Sequence, residues 1–239
     1  MLDIVVPVYN EGGNIEKLLN EIEEKVRARK RIVIVYDFDE DDTLEVISSI
    51  KHKYSFSITL VKNRFGRGVL TAIKTGLKLS QAEYALVTMA DLSDSMECVD
   101  KMYELAQQGN DLVCGSRYMR GGQQTGGPFL KKILSRLAGV SLRYLTNIPT
   151  HDVTNSFKLY KRTIIDRFEI ESEGGFEIGM ELAVKTFVHG FKIVELPTTW
   201  NDRTVGKSNF KMWRWMPRYL HWYIYCIKNT WFRAKHTRR

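Results

Sequence analysis

Two carboxylates three residues apart close an apolar run. In Val87-Thr88-Met89-Ala90-Asp91-Leu92-Ser93-Asp94, residues 87–89 read as the end of a buried strand, and Asp91 and Asp94 stand just beyond it, where an open α/β sheet places its ligands. Carboxylates so placed can hold a divalent cation. Two more strand ends carry polar or conformationally special residues: Pro7, Tyr9, Asn10 and Glu11 after the first apolar run, and Asp37 and Asp39 after the second. Asp, Asn and Gly also make ordinary turns, so one such loop says little, but three on one edge describe a site. Carboxylates crowded on one rim repel one another unless cations, amides or a base's N–H groups offset them.

The elements that must position these groups alternate. Residues 2–9 are almost continuously apolar, the pattern of a strand buried on both faces of a parallel sheet. Asn10-Glu11-Gly12-Gly13 stops the run, and Asn14 is placed to cap a helix to about residue 28, with Ile15, Leu18, Leu19, Ile22 and Val26 on one stripe. A second strand is expected at 32–36, opening into Asp37-Phe38-Asp39-Glu40-Asp41-Asp42, after which Thr43 leads a helix through residue 50. A third strand is expected at 57–61, a helix entered by Gly66-Arg67-Gly68 and running to about 79, and a fourth strand at 84–89. Strand and helix alternating through short polar turns predict an α/β fold: a Rossmann-like, doubly wound, mostly parallel sheet, here followed by C-terminal amphipathic helices.

Composition excludes several classes. The 239 residues are 44% hydrophobic and 27% charged, which is ordinary for a globular chain and excludes disorder. Cys98, Cys114 and Cys226 are far apart and odd in number, against a disulfide framework or a CxxC zinc site and in favour of a reducing compartment. Asp3 stands where a signal peptide would be basic, and no apolar run reaches about 18 residues, so no bilayer-spanning segment is expected.

The net charge of +8 is a property of the end of the chain. Residues 203–239 hold ten Lys or Arg and no acid, leaving 26 basic and 28 acidic groups in the first 202. Lys211, Arg214, Arg218, His221, Tyr225 and Lys228 follow the 3-4 spacing of one helix face, while Trp213, Met216, Leu220, Tyr223, Ile224, Ile227 and Trp231 fill most of the rest. Pro217 is expected to kink this helix or start a new segment. Basic groups against aromatic and aliphatic ones suit a membrane interface. They also suit a core-packed helix with a basic edge or, less well, single-stranded nucleic acid.

Eight stretches then carry a resemblance. Val5-Val6-Pro7-Val8-Tyr9-Asn10-Glu11, the acidic turn after the second strand, Gly66-Arg67-Gly68 and the Ala90-Asp91 step are similar to those of the inverting family 2 glycosyltransferases of GT-A fold. Gly115-Ser116-Arg117-Tyr118, Ser135, the run from Asp152-Val153-Thr154-Asn155-Ser156 to Arg162, and Arg203-Thr204-Val205-Gly206-Lys207-Ser208 resemble the dolichol-phosphate mannose synthase branch. The likeness covers about residues 2–210, which sets the expected division into a catalytic domain at 1–210 and a basic, aromatic membrane-interface tail at 211–239.

The resemblance implies transfer of a mannose- or glucose-type hexose from a GDP- or UDP-sugar to a polyprenyl or dolichyl phosphate, with Mg²⁺ or Mn²⁺. It places Pro7, Tyr9, Glu11, Asp37, Asp39 and Arg67 with the nucleotide sugar. Asp91 takes the metal, and Arg203 and Lys207 clamp the diphosphate; Asp94, outside the family pattern, is the candidate second metal ligand or else the cap of the helix that follows. Arg117, Lys131 and Ser135 hold the acceptor phosphate, and Asp91, Arg117 and Arg203 are the catalytic set; Glu177 and Glu181, a helical turn apart, suit either a contact to the sugar or a solvated helix start. A phosphate acceptor is already an anion, so it needs positioning more than a strong base. The expected place is the cytoplasmic face of a membrane, attached peripherally or through a membrane-anchored partner protein, with no nucleic acid involved. Two other readings stay open: an acceptor hydroxyl on a glycan or protein, with Asp94 or Glu177 as base, and a silent nucleotide-sugar-binding scaffold.

The chain departs from the family pattern at five points. Met89 stands where relatives have an acid and Ser93 where they commonly have Gln. Lys131 replaces a more usual Arg, offering a point charge rather than a fork. Tyr36-Asp37-Phe38-Asp39 replaces an Asp-Asp turn followed by Ser, and Ser156 replaces a common Gly.

Overall fold

In the computed structural model, residues 1–202 and 212–236 are described, with the side chains of the last helix given from 215 to 232. The strands are β1 (Leu2–Pro7), β2 (Lys30–Tyr36), β3 (Ser57–Lys62), β4 (Tyr84–Val87), β5 (Leu112–Ser116), β6 (Gln123–Thr125), β7 (Lys158–Lys161), β8 (Ile193–Pro197) and β9 (Thr199–Asn201). The helices are α1 (Gly12–Lys25), α2 (Asp42–Ile50), α3 (Val69–Leu79), α4 (Val99–Gln107), α5 (Phe129–Thr146), α6 (Arg162–Arg167), α7 (Ile178–Val188) and α8 (Met212–His236).

Seven strands form one sheet in the order β3-β2-β1-β4-β7-β5-β8. β1 is parallel to both β2 and β4, β2 to β3, and β5 to β8, while β7 runs antiparallel between β4 and β5. From β1 the chain builds outward through β2 and β3, then crosses to lay β4 on the other side of β1. The crevice at that reversal, beyond the strand C-termini, is where such a sheet takes ligands. All six residues of β1 are buried and alternate between the two faces. Val5, with Val33 and Val35 of β2, meets α3 and the core shared with α7 and α8. Ile4 and Val6 meet Ile15, Leu18 and Ile22 of α1 and Ile47 of α2.

Element ends differ from the sequence reading by a few residues, for visible reasons. β1 stops at Pro7 rather than 9 because the chain turns through Asn10, whose φ is +52°. α1 starts at Gly12, with Asn14 already in its first turn and its amide donating to Glu11 Oε2, so Asn14 does not cap it. α1 ends at Lys25, short of 28. β4 ends at Val87, two residues early, because after Thr88 donates its backbone N–H to Val5 O the chain leaves the sheet.

α8 runs without interruption through Pro217, so no new segment starts there. Its inner side is set by Trp222 and Cys226, both buried in the core, and of the expected apolar stripe Tyr223 and Ile227 pack partly against it. Leu220, Ile224, Trp231 and Phe232 are exposed instead. No helix among the described residues is long and apolar enough to cross a membrane.

Candidate active site

The turn after β4 presents its two carboxylates at the crevice. Leu92 adopts φ +61°, uncommon for a side chain of its kind, and this tight turn lets Ser93 N donate to Asp91 Oδ1 at 3.2 Å. Asp94 turns back on the strand: its Oδ2 accepts from Thr88 Oγ1 at 3.2 Å and Met89 N at 3.4 Å. It therefore does not cap the helical turn that follows, which begins at Met96. The turn is stitched to β9 by Ser95 N donating to Thr199 O and Asn201 N to Ser93 O.

Asp91 is 8% and Asp94 5% exposed. Burial, and then the neighbouring Asp91 charge, push the Asp94 carboxyl from 3.8 up to about 7. Two adjacent buried carboxylates form a donor set that a small divalent ion relieves. Among the described residues no group of three acids, histidines or cysteines converges as a complete protein cage. The pair fits Mg²⁺ or Mn²⁺ in the mode that uses one or two carboxylates and leaves the other positions to water and substrate phosphates.

Beyond β5, Arg117 is locked in place. Its backbone N–H, Nε and Nη2 all donate to Asp152, at 3.0, 2.7 and 2.9 Å, and Nη2 also reaches Ser135 Oγ at 3.2 Å and Thr154 Oγ1 at 3.4 Å. Burial alone would raise the Asp152 carboxyl, but the charge and bonds of Arg117 outweigh it and hold it below the usual range. Tyr118 OH donates to Ser135 Oγ at 2.8 Å. Lys131 lies one helical turn before Ser135 on α5, lining the same cavity. Arg117, Lys131 and Ser135 thus meet at one cavity.

It missed the frame beneath them. Asp152 is wholly buried, and buried Lys158 donates to the carbonyls of Val153 and Asn155, while Asn155 Nδ2 donates to Gly115 O. The signal lay in the motif itself: an Asp, a Thr, an Asn and a Lys within seven residues, against an otherwise apolar strand, had to be spent on something. Gly139 lets α5 reach this loop, since a Cβ there would lie 2.1 Å from His151 O.

A cavity of about 420 Å³ joins the two halves. At one end lie Met89, Asp91 and Asp94; Arg117, Lys131 and Ser135 follow; the far end is walled by Leu134, Leu137 and Ala138 of α5 and by Met216, Tyr219, Leu220 and Tyr223 of α8. Ser141 Oγ and Tyr223 OH, 2.9 Å apart, tie the two helices across it.

Along the rim from Asp91, the residues expected around a nucleotide also gather. Pro7 ends β1 beside Val35, and Glu11 N donates to Thr43 Oγ1 at 2.9 Å. Asp37 accepts from Asn63 Nδ2 at 2.8 Å and Gly68 N at 2.9 Å, binding the Arg67 loop to the end of β2. Tyr9 is exposed, its ring meeting Phe38 edge-on, and Arg67 lies over Phe38. The feared repulsion is mostly spent locally: Asp39 pairs with Lys62, Asp41 accepts from Asn10 N and Thr43 N, and Asp42 from Gly12 N.

Glu177 and Glu181 are not at a solvated helix start. Glu177 is fully buried, accepting from Gly174 N at 3.1 Å with Arg218 Nη1 at 3.6 Å, and it does not line the cavity although Phe176 and Met180 do. Glu181 accepts from the backbone of Glu171 and Ser172 and from Lys185, holding the loop before α7. Arg203 and Lys207 lie outside the described residues.

Comparison with known proteins agrees with this geometry. The family model described as glycosyl transferase family 2 matches residues 3–168. The chain is 27% identical over 215 residues to a dolichol-phosphate mannosyltransferase of Pyrococcus furiosus, covering 88% of this chain and 59% of the relative. To a polyprenol monophosphomannose synthase of Mycolicibacterium smegmatis it is 25% identical over 210 residues, covering 86% and 79%. It therefore spans less than two thirds of the Pyrococcus relative. Among solved structures, glucosyl-3-phosphoglycerate synthase from Mycobacterium tuberculosis, in complex with Mn²⁺, UDP and glucosyl-3-phosphoglycerate, superposes with a TM-score of 0.71 at 14% identity, over 95% of this chain and 80% of that one. S. aureus TarS 1–349 superposes with a TM-score of 0.60 at 17% identity, over 82% and 57%. The shared architecture is the GT-A fold that the resemblance implies, built on the mostly parallel sheet that the strand and helix pattern predicts.

Proposed function

The chain belongs to glycosyl transferase family 2, and from that premise we propose that it transfers a mannose- or glucose-type hexose from a GDP- or UDP-sugar to a polyprenyl phosphate, with inversion, at a membrane surface. The observation that carries the reading is the single cavity that runs from Asp91 and Asp94, past Arg117 and Ser135, into an apolar cleft between α5 and α8. A cationic and hydroxyl-lined neck opening into an aliphatic and aromatic throat is complementary to an anionic head on a hydrocarbon tail. The names of the Pyrococcus and Mycolicibacterium relatives agree with such an acceptor.

In this mechanism Arg117 and Ser135 bind the acceptor phosphate, with Lys131 adding charge. Asp152 leaves Arg117 little freedom to rotate, so the bound phosphate oxygen is presented in one direction and the ordering cost is met before the acceptor arrives. That oxygen is already anionic and attacks the anomeric carbon directly. The new carbon–oxygen bond forms as the bond to the nucleoside diphosphate breaks on the opposite face, and no proton has to be removed. Asp91 and Asp94 would hold Mg²⁺ or Mn²⁺, which supplies neutralising charge to the leaving diphosphate. Arg203 and Lys207 would add to it from the segment after β9, and the rim from Pro7 to Arg67 would hold the nucleoside.

The membrane face belongs to the same cleft. Phe129, Leu130, Ile133 and Leu137 of α5 and Leu220, Ile224, Trp231 and Phe232 of α8 are exposed, with Lys228 exposed beside them. Apolar groups flanked by cations on two adjacent helices would sit in the headgroup boundary and let the acceptor enter from the lipid. Attachment is direct in this reading, with a membrane-anchored partner protein as an additional holdfast. One observation favours an acceptor hydroxyl instead: Asp94 lines the cavity while buried to 5% exposure, and that burial raises its carboxyl to about 7, which suits a general base.

The test is a panel of nucleotide sugars, each with and without a short polyprenyl phosphate, in Mg²⁺ or Mn²⁺. Transfer dependent on the lipid phosphate, and lost in Asp91→Ala, is the expected result. No turnover with any donor, or normal turnover in Asp91→Ala, contradicts the mechanism.

A further inference from the structure

We propose that Phe38 is a wall of the donor-base site: with Tyr9 it forms an aromatic corner that receives the flat base of the nucleotide, and it holds Arg67 at the rim of that corner. The inference rests on the transferase reading above and adds a binding residue to it.

The corner is built by three loops at one edge of the sheet. The rings of Tyr9, after β1, and Phe38, after β2, are 5.4 Å apart and inclined at 69°. The Arg67 guanidinium, from the loop before α3, lies 5.7 Å from the centre of the Phe38 ring. Tyr9 is 57% exposed and Phe38 is half-buried, so the two rings meet edge to face at the surface rather than inside the core. Single exposed aromatics are ordinary on proteins. Two that meet at an angle beside a guanidinium, at the strand C-termini of an open α/β sheet, are a receptacle for a planar π system.

None of the three needs a ligand to find its place. Asp41 N donates to Phe38 O at 3.3 Å, closing the turn that carries the ring, and the Asp41 side chain in turn caps α2. Asp37, the neighbour of Phe38, takes the Gly68 amide and so fixes the loop that bears Arg67. Gly68 has φ +122°, a backbone conformation that a side chain would strain.

The position also suits the rest of the donor. β2 and β4 are each paired to β1, so their ends are two strand spacings apart, roughly 10 Å. A base seated at the end of β2 then has its diphosphate directed toward Asp91 at the end of β4. In the corner the base lays one face on one ring and sets an edge against the other, while Arg67, held over the Phe38 ring, offers N–H donors to oxygens at the rim.

Calorimetric titration of the full chain with GDP, UDP and inorganic pyrophosphate, each with Mg²⁺, tests this. Phe38→Ala should weaken the nucleoside diphosphate that the wild type binds by roughly tenfold or more, the size of a lost base-to-ring stack, and leave pyrophosphate unchanged. Phe38→Trp, which keeps an aromatic wall, should retain nucleotide binding. Unchanged nucleotide affinity in Phe38→Ala, or an equal loss of pyrophosphate, would overturn the inference while the transferase reading stands. A wild-type chain that binds pyrophosphate but neither nucleotide overturns both.

Discussion

Arg117 and Asp152, 35 residues apart, are joined by three hydrogen bonds, two from the guanidinium and one from the Arg117 backbone. The pair is nearly or wholly buried on both sides. The guanidinium is left facing Ser135 and Thr154, so one acid aims the cation that the acceptor phosphate is proposed to meet. Replacing Asp152 by Asn keeps the shape but removes the charge, leaving Arg117 buried without its counter-ion. The expected result is a loss of stability on the order of 3–5 kcal/mol in urea unfolding and a raised KM for the acceptor, with donor binding retained. A variant with wild-type stability and acceptor KM would show that Asp152 does not set Arg117.

The carboxyl of Asp94 gives the unliganded protein a pH signature. In the unfolded chain it ionises near its ordinary 3.8, but burial and the Asp91 charge raise it to about 7 in the fold. Between those values the folded protein keeps a proton that the unfolded chain has lost. Its contribution to stability is therefore full below pH 4, falls as pH rises toward 7, and is gone above it; the span is roughly 4 kcal/mol at most. Urea unfolding across pH 4–8 should show this decline, Asp94→Asn should flatten it, and Mg²⁺ above pH 7 should restore stability to the wild type only. Identical profiles for wild type and Asp94→Asn would refute it.

The exposed ridge of α8 is predicted to be a lipid contact. Leu220 and Ile224 are 53% and 41% exposed, one turn apart, and neither belongs to the buried core. Leu220→Asp with Ile224→Asp should weaken co-sedimentation with anionic phosphatidylglycerol vesicles at least tenfold while leaving thermal unfolding and nucleotide affinity as they are. Equal sedimentation of variant and wild type would remove this face from the membrane.

Much of this was legible in the sequence, and the rest was hidden for definite reasons. β1, β2 and the Gly66-Arg67-Gly68 entry to α3 announce themselves because a strand buried on both faces is written as a continuous apolar run and glycine punctuates it. The seat of Asp91 at the end of β4 followed from the same pattern. β7 did not, because a four-residue strand with Lys at both ends reads as surface, whereas Lys158 is buried and donates to nearby carbonyls. The Asp152 fork depends on a partner that no local pattern names. In α8, apolar residues occupy more than one side, so spacing alone could not tell Trp222 and Cys226, which face the core, from Leu220 and Ile224, which do not.

The central claim is that the acceptor is recognised as an anion on an apolar tail, and it is tested most directly by offering the enzyme the same polyprenyl chain with and without its phosphate. With the preferred nucleotide sugar and Mg²⁺, kcat/KM should be measurable for the polyprenyl phosphate and lost for the polyprenol. Comparable transfer to the free alcohol would assign acceptor activation to a base such as Asp94 and contradict the account.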